Sequence, residues 1–402
     1  MKRRRAAATQ KILEFKNVDP AAKIALYFGF TPVSGPLAVG KEDRDEARTL
    51  SGPDAPSKTL SGPLTLPLEE KIALLRYCEE KKLHDGPQPI ELAVEMGAHG
   101  SAVKKGEKTL SLEIIGANKA IAEAILIETA FSILREEGHE NLSVSLNSVG
   151  DRDSQNRFFR ELGAYYRRAL PLLPASCRAL LKNAPLELLK CGHEKCHSLA
   201  NEAPKSVGFL SDTSREHLKE TLEYLEELEI SYQMNPLLVG ERVFTSDTVF
   251  EIHTNAGSEK EQTLASGCRY NTLAKRLGWR RDSPAVGLKI LLCRDKQKKK
   301  TTILRFATPK IFFLQLGVAA KLKSLKVIEL LRQAGIALEH SLAREKLLSQ
   351  LSAGEAKHPY SLIMGQREAL EDSVIVRNNA TRAQETVRVS EVAGFLKKAK
   401  MV

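Results

Sequence analysis

The sequence predicts an α+β chain of two modules, and three observations point there. Apolar residues make up 42% and charged residues 28% of the 402, the balance of a globular protein that buries a sizeable core. The chain is too long for one compact core and suits two domains of ordinary size. Beyond about Thr308 an irregular order of helices and strands gives way to clean alternation, which sets apart a small α/β unit over 308–402.

Taken in order, residues 1–18 carry Lys2, Arg3, Arg4 and Arg5 without a long apolar run, so they read as a flexible basic tail rather than a secretory signal. Over 19–30 the apolar positions suit a short helix running into Gly29-Phe30-Thr31-Pro32, where Pro32 biases Thr31 towards extended backbone. From there to about Pro67 the chain is rich in Gly, Pro, Ser and Asp. Leu50-Ser51-Gly52-Pro53 returns as Leu60-Ser61-Gly62-Pro63, and the stretch reads as a long loop. Helical periodicity follows over 68–82, then strands over 90–94 and 109–115. An amphipathic helix over 120–137 is stopped by Gly138, and a strand over 142–146 enters Asn147-Ser148-Val149-Gly150-Asp151. The segment 152–232 is mainly helical, interrupted by Pro171, Pro174 and Pro185 and resumed over 214–228. A β-rich stretch occupies 232–239, 248–253, 262–266, 286–292 and 301–306. The alternating unit then runs as a strand over 311–316, a helix over 319–333 closed by Gly335, a strand over 336–339, a helix over 344–352 and a strand over 360–364. Antiparallel strands over 373–377 and 385–389 and a helix from Glu391 complete it.

The net charge of +11 favours polyanions such as RNA, DNA or an anionic membrane surface. No stretch approaches the roughly 20 apolar residues of a membrane span, so no membrane-embedded role is expected. Six cysteines, at 78, 177, 191, 196, 268 and 293, are too few and too scattered for a disulfide scaffold, and a reducing cytosol is the simplest home. Cys191-Gly192-His193-Glu194-Lys195-Cys196-His197 draws notice to Cys191 and Cys196 as metal ligands. Their C-x4-C spacing matches no common zinc finger, so the expectation is no metal.

Two blocks resemble the histidyl-tRNA synthetases. The first runs from Asn147-Ser148-Val149-Gly150-Asp151-Arg152 through Asn183-Ala184-Pro185, Leu188-Leu189-Lys190, Asn235-Pro236-Leu237-Leu238-Val239 and Thr248-Val249-Phe250-Glu251. It continues through Leu264-Ala265-Ser266-Gly267-Cys268-Arg269-Tyr270 to Pro284-Ala285-Val286-Gly287. The second is the C-terminal unit, with Gln315-Leu316-Gly317, Leu331-Arg332-Gln333-Ala334-Gly335-Ile336, Met364-Gly365-Gln366 and Val376-Arg377 in the family's order. The resemblance implies a class II core over 19–307, α+β with a mixed, largely antiparallel sheet, and an α/β anticodon-binding domain over 308–402.

The resemblance also implies a chemistry. In that family a motif 2 arginine holds the α-phosphate of ATP, and a Gly-rich motif 3 ending in Glu-Arg holds the adenine end. A Leu-Val-Arg-Gly-Leu-Asp-Tyr-Tyr segment supplies an arginine and two tyrosines, all acting by position and electrostatics. Here the motif 2 region, 90–116, contains no arginine; its cations are Lys104, Lys105 and Lys108, which lack the bidentate fork. In the activation segment the expected arginine falls on Gly240, the aspartate on Val243 and the tyrosines on Phe244 and Thr245, with Arg242 two residues from the arginine position. Motif 3 keeps Pro284 to Gly287 and Arg294, but Leu291 replaces a glycine and Cys293 the glutamate. The histidine-recognition segment keeps Gly267, Arg269 and Tyr270, with Cys268 for glycine and Asn271 for aspartate.

The residues implied for catalysis are therefore Arg294 and Arg242, for histidine Arg269 and Tyr270, and for ATP Arg294 and Lys105, with ATP and magnesium needed only if the protein is active. Lys310, Arg377 and Arg382 are the cations implied for tRNA. The resemblance further implies a homodimer, a histidine tRNA as partner and a cytoplasmic location. Three functions stay open: a synthetase-like protein whose aminoacylation is weakened or lost; an active divergent ligase that rebuilds its site from Lys104 or Lys105, Arg242, Arg269 and Arg294; and a regulatory subunit of ATP phosphoribosyltransferase, which shares the core and typically lacks the anticodon domain.

Overall fold

A computed structural model describes residues 12–52, 64, 66–96, 107–254, 262–293, 303–340, 342 and 357–402. The chain forms two compact units, Pro36–Gln297 and the combination of Met1–Gly35 with Lys298–Val402.

Within the larger unit seven strands lie side by side in the order Ile90–Glu95, Glu107–Ile115, Ala285–Cys293, Gln262–Arg269, Ser246–Thr254, Leu142–Gly150 and Tyr232–Met234. Every neighbouring pair is antiparallel except the last, which is parallel. Positions 109–115 and 285–292 are buried without alternation, so both faces of the sheet centre are covered. The Ile121–Glu136 helix explains one cover, because every residue from Ile121 to Leu134 is buried. It packs against the Ala285–Cys293 strand and the Asp212–Glu227 helix.

The helical segment is tied to this sheet through its caps. Asp151 opens the Arg152–Arg168 helix by accepting the Ser154 N–H at 2.9 Å, and Ser211 opens the Asp212–Glu227 helix by accepting the Ser214 N–H at 3.2 Å. The two caps are joined, since the Ser211 hydroxyl donates to Asp151 Oδ2 at 2.7 Å. The Ser214 hydroxyl donates in turn to Asp247 Oδ1 at 2.7 Å, on the Ser246–Thr254 strand. Pro171 and Pro185 sit in 3-10 turns, Leu170–Leu172 and Pro185–Leu188, and Pro174 caps a third, Ala175–Cys177.

The stretch read as a long loop up to Pro67 contains a helix, Lys41–Ser51. Its start is fixed by Asp43, which accepts the Gly40 N–H at 2.6 Å and pairs with Arg76 at 2.8 Å from the Leu68–Glu80 helix. That tertiary anchor makes a polar segment helical where composition alone reads loop.

The smaller unit carries a five-stranded sheet in the order Glu339–His340, Ile311–Gln315, Tyr360–Met364, Ser373–Asn378 and Gln384–Arg388. The first two pairings are parallel and the last two antiparallel. The Val318–Gln333 and Val392–Lys398 helices match the alternation expected from sequence, and a short helix not expected there, Gln366–Leu370, joins two of the strands. The strand expected over 336–339 is reduced to Glu339–His340, and the helix expected over 344–352 lies outside the described residues. Part of the expected tail forms a strand, Ile12–Lys16, antiparallel to Ile303–Ala307. Among the described residues no helix is long and apolar enough to cross a membrane.

Candidate functional site

The three segments that resemble motif 2, the histidine-recognition segment and motif 3 become neighbouring strands: Glu107–Ile115, Gln262–Arg269 and Ala285–Cys293. Register places Glu113 opposite Gly287, and Gly287 opposite Cys268. The Leu68–Glu80 helix lays Glu70 and Lys71 against this sheet. Lys71 forms an ion pair with Glu113, and both side chains are about 3% exposed or less. The Tyr270 hydroxyl donates to the other Glu113 oxygen at 2.7 Å, and the Lys71 ammonium lies 5.1 Å from the centre of the Tyr270 ring. A second buried pair, Lys289 with Glu70, stands beside it.

These charges are held in a dry setting. Burial keeps the Glu113 carboxyl above its ordinary value against the opposing pull of Lys71. Burial also lowers Lys289, against the pull of Glu70. The Tyr270 phenol is pushed well up by burial and then by the Glu113 charge. Cys268, wholly buried on the adjoining strand, is pushed up to about 11 by burial and is thereby kept from acting as a thiolate.

The two glycines on these neighbouring strands, Gly287 and Gly267, are covered by side chains. A Cβ on Gly287 would lie 1.9 Å from Glu113 Oε2 and 2.6 Å from Lys71 Nζ, and one on Gly267 would lie 2.4 Å from Phe250 Cζ. The space above this strand pair is thus filled by the chain's own side chains. The described residues do not fit ATP with magnesium here, because the approach at Gly287 is taken by a carboxylate and an ammonium.

Arg269 is wholly buried, and each of its five N–H donors has an acceptor. Nε donates to Glu123 Oε1 at 2.7 Å and Nη2 to Glu123 Oε2 at 2.5 Å, while the rest reach Ala117 O, Lys119 O and Asn271 Oδ1. None is left for the carboxylate of an amino acid. Burial pushes the Glu123 carboxyl up, but Arg269 and then His217, 2.8 Å away, pull it further down, and the net position is well below the ordinary range. Asn271, standing where the family has aspartate, donates to Asp247 Oδ2 at 2.9 Å and joins the network of helix caps.

The segment that resembles the family's activation segment is packed by its own contacts. Gly240, at the arginine position, has a φ of 60°, and a Cβ there would lie 2.7 Å from Thr245 Oγ1. Phe244 is buried edge-on against Tyr270, with ring centroids 6.5 Å apart. The Thr245 carbonyl accepts from Gln155 Nε2 at 2.9 Å. Arg242 points outward, its guanidinium 4.7 Å from the centre of the Phe159 ring. Arg294 and Lys105 lie outside the described residues.

In the smaller unit, register brings the three implied RNA-binding cations to one end of the sheet. Ile311 pairs with Tyr360 and Tyr360 with Asn378, so Lys310 and Arg377 flank the same row. Arg382 sits exposed in the adjoining turn, with a φ of 63°. The Lys310 ammonium donates to the Val402 carbonyl at 3.1 Å.

A further cluster lies in the helical segment. The sulfurs of Cys177, Cys191 and Cys196 lie within 4.8 Å of one another. Cys177, which sequence spacing did not single out, is 3.7 Å from Cys191. His193 instead caps the Glu194–Glu202 helix, its Nδ1 accepting the Lys195 N–H at 3.3 Å.

Comparison with known proteins is consistent along the chain. The family described as "Anticodon binding domain" matches residues 311–399. The histidine–tRNA ligase of Bacillus subtilis is 28% identical over 352 residues, covering 83% of this chain and 81% of its own length. That of Dehalococcoides mccartyi is 29% identical over 292 residues, covering 71% and 69%. Among solved structures, the apo histidyl-tRNA synthetase of S. aureus covers 94% of this chain and 93% of its own, with a TM-score of 0.50 at 19% identity, a likeness of fold.

Proposed function

The chain belongs to the histidyl-tRNA synthetase family, and from that premise we propose that it keeps the family's RNA-binding module while its aminoacylation is lost or greatly weakened. The observation that carries this reading is the filled site: Glu113 and Lys71 stand over Gly287 on the strand that resembles motif 3, and Arg269 is saturated by Glu123 and its neighbours. Catalysis by positioned charge needs cations free to meet the developing phosphate charge, and here the buried cations Lys71, Arg269 and Lys289 are each held by an internal carboxylate.

The partner is a tRNA, with the histidine isoacceptor as the first to test. Lys310, Arg377 and Arg382, at one end of the smaller unit's sheet, supply phosphate contacts, and exposed loops there admit unstacked bases. The protein acts in the cytoplasm as a homodimer on this reading. The test is paired: histidine-dependent ATP–pyrophosphate exchange, and titration with labelled tRNA. Binding of tRNA without exchange is the expected result, and exchange at the rate of an ordinary synthetase would overturn the proposal.

A further inference from the structure

The helical segment holds three thiols to which neither the resemblance nor the proposed RNA role gives a function. Cys177 ends the Ala175–Cys177 turn, Cys191 sits in the loop after Leu189-Lys190, and Cys196 lies in the first turn of the Glu194–Glu202 helix. Three separate pieces of chain therefore converge on one point. The Arg152–Arg168 helix supplies a neighbour, Tyr166.

From this convergence we infer that Cys177, Cys191 and Cys196 form a three-thiolate site for a soft divalent metal, zinc being the natural occupant, with water as the fourth ligand. Two independent observations support it. The first is spacing. A zinc–sulfur bond of about 2.3 Å in tetrahedral geometry sets ligand sulfurs about 3.8 Å apart. The Cys177 and Cys191 sulfurs are 3.7 Å apart, and all three fall within 4.8 Å of one another. That separation is far beyond a disulfide bond of about 2.05 Å, and a disulfide would in any case use only two of the three.

The second observation is Tyr166. Its side chain is completely buried, and its hydroxyl has no hydrogen-bond partner among the described residues. An orphaned buried hydroxyl is costly and calls for an acceptor. Its electrostatic neighbours include Cys196 and Cys191. Metal-bound thiolates would bring negative charge into the neighbourhood of this phenol, which the dipole of its O–H favours without a direct bond. The N-terminal end of the Glu194–Glu202 helix adds a favourable dipole for the Cys196 thiolate.

Binding displaces up to three protons from sulfur to solvent and involves no redox step. The site would then act as a staple, clamping the loop between Cys177 and Cys191 to the Glu194–Glu202 helix.

The test uses the full chain purified under reducing conditions from zinc-supplemented cells. Elemental analysis should find one zinc per chain, and exchange with Co(II) alone should produce sulfur-to-cobalt charge-transfer absorption with the intense visible bands of a tetrahedral centre. Cys191→Ser, at the half-exposed member of the trio, should weaken Zn(II) affinity by at least about tenfold in competition with a chromophoric chelator. Should that variant fail to fold, the Co(II) spectrum of the unaltered chain still decides. Zinc well below one equivalent together with no charge-transfer band overturns the inference. So does a Cys177–Cys191 disulfide found by peptide mapping of the zinc-treated protein. Because metal content and tRNA binding are read separately, a failure here leaves the proposed RNA role standing, and the reverse holds too.

Discussion

Replacing Arg269 with methionine tests whether the residue in the histidine-recognition segment is structural. Both Arg269 and Glu123 are fully inaccessible to solvent, joined by two charge-assisted hydrogen bonds, with three more from Arg269 to Ala117 O, Lys119 O and Asn271. Removing the guanidinium leaves the Glu123 carboxylate buried with His217 as its remaining partner. Breaking one side of a buried ion pair destabilises by roughly 3–5 kcal/mol, which shifts the unfolding equilibrium by about two to four powers of ten. The chain's single tryptophan makes the measurement specific: Trp279 is 7% exposed and lies in the larger unit, so its fluorescence in a urea titration reports that unit. The double variant Glu123→Leu with Arg269→Met should recover most of the loss, since apolar groups of similar volume can replace a buried pair at little cost. A Trp279 transition that moves by less than about 1 kcal/mol in the single variant, accompanied by loss of histidine binding, would refute this account and return Arg269 to the ligand site.

Three further outcomes are expected. Gly240→Arg, which restores the family's activation arginine by sequence, should not restore pyrophosphate exchange and should destabilise by about 1–3 kcal/mol, because position 240 is left-handed and crowded by Thr245; a gain of exchange would contradict it. His340 is buried neutral in the smaller unit and pushed down to about 4 by burial. The folded value lies below the unfolded one, so nothing is lost above about pH 6.5, and stability falls as pH drops from there, by about 2 kcal/mol at pH 5. His340→Leu should flatten that dependence in hydrogen exchange of the Ile311–Gln315 strand, and an unchanged pH profile would count against it. Arg377→Ala and Arg382→Ala should each weaken tRNA binding and reduce the salt dependence of log affinity by about 0.7–0.9 per lost phosphate contact; equal salt slopes in variant and parent would remove these residues from the interface.

The smaller unit was legible in the sequence because its signals are local. Gly335, at a φ of 72°, closes the Val318–Gln333 helix where the sequence placed the stop, and the strand before that helix, Ile311–Gln315, is a short apolar run. Features fixed at long range were not legible. The Ile12–Lys16 strand exists through pairing with Ile303–Ala307, and the Lys41–Ser51 helix through Asp43 meeting Arg76. The candidate site divides the same way. Arg269 and Tyr270 stood out as motif residues, but their partners did not. Glu113 and Glu123 are isolated carboxylates in apolar surroundings, and alternation around Glu113 reads as one wet strand face, whereas both faces are buried. Their partners lie 42 residues away, at Lys71, and 146 away, at Arg269. Cys177 was not grouped with Cys191 and Cys196 for the same reason, since no short spacing links it to them.

The Lys71–Glu113 pair above Gly287 also bears on how such a chain changes over generations. Clearing that floor for a nucleotide requires both charges to go, and either one alone would be stranded in the interior, at roughly 3–5 kcal/mol out of a total folding stability of about 5–15. A lineage carrying the pair therefore faces a valley between its present state and an open pocket, crossed only by paired substitutions or from a reserve of surplus stability. A single early exchange of polar partners can in this way act as a ratchet, keeping the space over Gly287 occupied while exposed surface positions stay free to vary.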